Sequence, residues 1–234
     1  MLRLSKPLMA LSVATFGFGF IIVARELIRS RNRHFISQHV LSLTTLNSIQ
    51  RTWSILGLII APKDLVHPKS IRSELLWIIP ILSLMALIYP VGFLLMGWLQ
   101  YLLIRDLAQH EMWEKRFFDF LALIGAYNAE FPVRIKLSHH RSYYNRILVL
   151  LVTFTALLVL YFALEYLVLF NAWPPILPKI LLALCLTSYA TLMYLEALWW
   201  LEIVHAYSSH LAVSEKLALA LSRTLSAFRS LKAQ

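Results

Sequence analysis

Residues 176–211 read ILPKILLALCLTSYATLMYLEALWWLEIVHAYSSHL, and from Ile180 to Val204 the run is apolar except for Glu196 and Glu202. At roughly 1.5 Å of rise per residue, a helix over that run crosses the hydrocarbon core of a bilayer, about 30 Å thick. Helical spacing continues past His205 into more polar sequence, so one element leads out of the lipid. An earlier stretch, Leu75 to Glu111, has the same design. The architecture follows from this pair.

Composition excludes a soluble domain. Of 234 residues, 59% are hydrophobic and 15% charged, against roughly a quarter charged in soluble domains; mean hydropathy is +0.69. So few charged residues cannot supply the polar surface that a soluble core of this size needs. The net charge of +10 fits the basic cytoplasmic flanks of a polytopic membrane protein, drawn to anionic headgroups. Nothing resembles the aromatic-basic modules that bind nucleic acid. The expected partners are the bilayer, anionic lipid headgroups, and other membrane subunits or further copies of this chain; nucleic acid is not among them. Cys185, the one cysteine, cannot form an intrachain disulfide and reads as a small apolar filler.

Taken in order, the chain predicts an all-α, polytopic bundle of about five spans within a single integral membrane domain over 1–234. The spans are 7–28, 41–62, 75–104, 147–170 and 179–204, with amphipathic helices at 29–40, 105–130 and 205–231. The segment 41–62 contains Asn47, Gln50 and Arg51, which are costly at span centre. It crosses because the basic segments then share one side; read instead as re-entrant, it leaves four spans. Span 75–104 holds Pro80 and Pro90, so it is tilted or kinked. Arginines after the first span place them inside, the N-terminus outside and the C-terminus inside, in the cytoplasmic membrane of the cell. Arg29, Arg31, Arg33, Arg134, Lys136 and Arg141 are the basic residues that face lipid headgroups.

An offset of 100 residues lays Leu82 on Leu182, Tyr89 on Tyr189, Leu95 on Leu195, His110 on His210 and Leu121 on Leu221. The first span echoes this faintly, with Arg25-Glu26-Leu27 parallel to Arg105-Asp106-Leu107. Spans one, three and five therefore exit to the same side and extend there.

Ionisable residues inside spans are functional suspects. Glu165, near the outer end of span four, is positioned to pair with Lys179 across the short proline-rich turn. Glu196 is the best proton or cation contact, with Pro90 a second element of any transport path. His34, His39, His110, His139, His140, His205 and His210 gather at the inner helix ends. Among them His110 with His205 or His210 is the set that haem b or a metal would use. The chain has no phosphate loop, GxSxG or HExxH. The leading expectation is a non-catalytic accessory or structural subunit of a larger membrane assembly. The alternatives are a small transporter or channel subunit using Glu196 and the proline-broken span, and a membrane enzyme or haem-bearing electron carrier.

Overall fold

A computed structural model describes residues 18–54, 65, 91–124, 131–169 and 176–232. Among the described residues the chain is all-helical: α1 (Phe18–Ser54), α2 (Val91–Leu123), α3 (Leu137–Leu169) and α4 (Ile176–Lys232). Two of these, α3 and α4, are long and apolar enough to cross a membrane, with windows of mean hydropathy 2.8 and 1.7. Only 17% and 22% of those windows are buried within the protein, unlike the core helix of a soluble domain. Val149, Val152, Val159, Phe162 and Leu186 all stand outward.

The helices run longer than hydropathy suggests. Residues 28–54 contain neither glycine nor proline, so nothing breaks the backbone ladder. α1 accordingly continues for 37 residues, roughly 55 Å. The boundary expected at Leu41 is absent, and 41–54 extends the first helix instead of starting a separate span. The rest of 41–62, and residues 75–90 with Pro90, lie outside the described residues. α4 is a single helix of 57 residues that takes in both the apolar run and the basic tail. Pro178 is tolerated in its first turn, where a missing N–H breaks no intrahelical bond.

The chain divides into two compact units. The first comprises Met1–Ala24, Trp77–Ile104 and Leu137–Val204; the second comprises Arg25–Leu76, Arg105–Lys136 and His205–Gln234. α1, α2 and α4 each contribute to both.

In the first unit α3 runs antiparallel to α4. His139 and Tyr143, early in α3, reach Glu202, whereas Phe154, later in α3, packs on Tyr189, earlier in α4. Where α2 joins them, Gly97 allows a close approach: a Cβ there would sit 3.4 Å from Tyr144 and 3.7 Å from Trp199.

In the second unit the register is different. His34 of α1 meets His110 of α2 and His210 of α4. Four residues on, Gln38 meets Ser214, which meets Glu114. Partners advance together along all three chains, so the helices run parallel. Beyond them Leu46, Ile49, Phe117, Phe118, Leu121, Ile124, Phe131 and Leu221 form an apolar core.

Leu121 is fully buried in that core. Leu121→Ala is expected to cost about 2–5 kcal/mol, read as a lowered thermal unfolding midpoint in detergent. Leu219→Ala, on an exposed face, should change stability by no more than about 0.5 kcal/mol.

Candidate metal centre

Residues three or four apart share a helix face. Each of the three parallel helices uses that spacing to present a histidine and then a polar side chain: His34 and Gln38, His110 and Glu114, His210 and Ser214. The imidazoles converge through the same atom. His34 Nε2 lies 3.0 Å from His110 Nε2 and 3.2 Å from His210 Nε2. The Glu114 carboxylate closes the group, with Oε1 3.3 Å from His110 Nε2 and Oε2 3.6 Å from His210 Nε2. One donor atom from each of the four side chains lies within 4.8 Å of the others. Three are buried, and His34 is half-buried.

One nitrogen carries either a proton or a lone pair, so His34 Nε2 cannot make full, linear hydrogen bonds with two other imidazoles at once. A cation accepting all three lone pairs removes the conflict. Tetrahedral zinc, with Zn–N bonds of roughly 2.0–2.1 Å, sets neighbouring donors about 3.3 Å apart. The 3.0 and 3.2 Å separations from His34 Nε2 and the 3.6 Å between Glu114 Oε2 and His210 Nε2 lie near that edge, within a donor set that spans no more than 4.8 Å.

The surroundings prepare the donors. Burial lowers the affinity of His110 for a proton well below the ordinary imidazole range, and His210 and Arg31 push it the same way. Its neutral ring offers a lone pair. Glu111 Oε1 lies 3.5 Å from His210 Nδ1, long for a hydrogen bond but placed as the carboxylate behind a metal-bound histidine. Pro132, which has no N–H, lies in a non-helical stretch that leaves the amides of Arg134 and Ile135 free to donate to Glu111 Oε2 at 2.9 and 3.0 Å. Burial raises the Glu111 carboxyl, but His210 beside it and the hydrogen bonds from these two amides outweigh that and hold it below its usual range.

One turn earlier on α1, Arg31 pairs with Asp106 at 2.8 Å, both almost fully buried. Its guanidinium lies 4.3 Å from the Phe35 ring centre, and Phe35 stacks on His110. Arg31 is therefore a core residue, which corrects the expectation that it faces lipid headgroups. A cation with a buried carboxylate and an aromatic face within reach has partners that compensate its burial. Arg29 is half-exposed and near Glu26, while Arg33, Arg134, Lys136 and Arg141 are exposed.

Of the histidines expected at a cofactor, His110 and His210 come together and His205 does not. It lies five residues before His210, about 140° around the helix, and is exposed. The Nε2 contacts near 3 Å leave no gap for a macrocycle between the rings. Sequence reasoning missed His34 as a partner, together with Glu114, Gln38 and Ser214. A signal existed in the recurrence of His-x3-polar at offsets of 76 and 100 residues.

The first unit holds the other candidates. Glu196 and Gln100 are both fully buried. They face one another, but neither side chain completes a hydrogen bond. Trp199 Nε1–H donates to His140 Nδ1 at 3.2 Å, and Tyr143 donates to Glu202 at 2.7 Å. The expected Glu165–Lys179 ion pair does not appear among the described residues: Glu165 lies beside the Tyr161 hydroxyl, and Lys179 is exposed.

Compared with known proteins, the chain matches no family model, no curated protein and no solved structure.

Arg31→Met alone leaves Asp106 buried without its nearest cation and is expected to cost about 3–5 kcal/mol, measured by denaturant titration in detergent. Arg31→Met combined with Asp106→Leu should recover most of that loss, because replacing both charges removes the orphan.

Proposed function

We propose that this protein is a multi-pass, non-catalytic subunit of a larger membrane assembly and that it holds one divalent transition-metal ion as a structural centre. The observation that carries the proposal is the convergence of three imidazole Nε2 atoms and a carboxylate from three helices. Four protein donors fill a tetrahedral ion's coordination, as in structural sites; catalytic sites keep a position open. Imidazole nitrogen with one carboxylate suits zinc and neighbouring first-row ions. Outward apolar surface on α3 and α4 is suited to lipid or to partner subunits.

Five crossings of the cytoplasmic membrane fit this reading. α1 and α2 run in the same direction, and in each an apolar segment precedes the basic one. Parallel α1 and α2, followed by the antiparallel pair α3 and α4, suit an odd number of crossings. The arginine-rich side lies inside, with anionic headgroups as its lipid partners. Transport through Glu196 is the second reading, favoured by its complete burial opposite Gln100 without a hydrogen bond.

Purification from native membranes in mild detergent tests the main proposal. Elemental analysis should find one transition-metal ion per chain, and other membrane subunits should co-purify. His110→Ala and His210→Ala should each lower metal affinity by about tenfold or more, with His205→Ala unchanged. A metal-free wild type recovered alone would defeat the proposal.

Labelling from either side of the membrane tests the crossing number. In a Cys185→Ser background, Ser5→Cys should react from outside and Ser230→Cys only after permeabilisation. Reaction of both from one side would rule out five crossings.

A further inference from the structure

The layer next to the histidines bears on which ion the site takes. Ser214 Oγ–H donates to Glu114 Oε1 at 2.7 Å and accepts from Gln38 Nε2–H at 2.6 Å. All three side chains are buried, and each comes from a different helix. A hydroxyl that both accepts and donates in one line has its proton direction fixed. Glu114 is thus held through Oε1, which also lies 3.3 Å from His110 Nε2, while Oε2 is turned toward His210 Nε2 at 3.6 Å.

Resting on the metal reading above, we infer that Ser214, oriented by Gln38, is a positioning residue that keeps Glu114 a one-oxygen ligand and so makes the site selective for zinc. A carboxylate that binds through both oxygens adds a fifth donor. Manganese and iron(II) use the extra oxygen because they favour five or six ligands, whereas structural zinc is satisfied with four. Holding Oε1 on a hydroxyl weakens it as a donor and leaves three nitrogens and one oxygen. The register of the three helices sets this choice, since the hydroxyl, the amide and the carboxylate occupy equivalent positions four residues after their histidines.

Cobalt(II) added to the metal-free full-length protein in detergent is the probe, because four-coordinate cobalt absorbs far more strongly in the visible than five- or six-coordinate cobalt. The wild type should show the intense four-coordinate band. Ser214→Ala should weaken it by about threefold or more as the coordination number rises, and should lower the preference for zinc over manganese by about tenfold. Ser214→Thr, which keeps the hydroxyl, should restore both. Gln38→Leu should shift both in the direction of Ser214→Ala, and it stands as the test if Ser214→Ala does not fold. A Ser214→Ala spectrum and metal preference equal to wild type would overturn the inference. So would tight cobalt binding by the wild type with only a weak band. No cobalt binding by the wild type would defeat the metal reading itself, a distinguishable failure.

Discussion

Everything in the second unit depends on three parallel helices keeping one register. His34, His110 and His210 form one layer, and Gln38, Glu114 and Ser214 the next. Eleven residues past each histidine, about three turns, stand Thr45, Leu121 and Leu221, all buried. Slipping one helix by a single turn would set an imidazole against the hydrogen-bonded layer and a polar group against the apolar core. The register is therefore specified by chemistry that changes from layer to layer, which a uniform leucine seam could not do.

Burial of so many polar groups is tolerable only because they answer one another. Arg31 has Asp106 and the Phe35 face, Glu111 has two backbone amides, and Ser214 stands between an amide and a carboxylate. Such networks are costly when half-satisfied and rigid when complete. In the first unit α3 packs antiparallel on α4, and Glu202 gathers His139 and Tyr143. Glu196 opposite Gln100 is the exception there, a carboxyl fully buried among apolar side chains.

Much of the helical character was legible in the sequence, because long apolar runs and basic flanks follow directly from the bilayer's thickness and polarity. The extent of the helices was less so. The sequence suggests a separate span beginning at Leu41, yet with neither glycine nor proline in residues 28–54 the backbone carries straight on. The match between His110 and His210 was visible as a 100-residue offset and is realised as direct contact, with ring centres 5.0 Å apart. The first-helix echo was aligned at an offset of 80; contact occurs at 76, one turn different. Arginine- and leucine-rich helices fit several registers equally well, and only the histidines distinguish them. His34 is not legible as a partner because an imidazole directly after Arg31 and Arg33 reads as an interfacial residue until its partners, far away in the chain, are known. Arg31 was misread for the same reason.

The histidines His34, His110 and His210 are separated by 76 and 100 residues, so drawing them together closes two long loops and costs chain entropy that short-range contacts do not. α4, the last of the described helices, supplies the third histidine, so the set cannot close before that helix has been made. The layer of imidazoles and the hydrogen-bonded layer beside it are therefore completed only when α4 takes its place against α1 and α2.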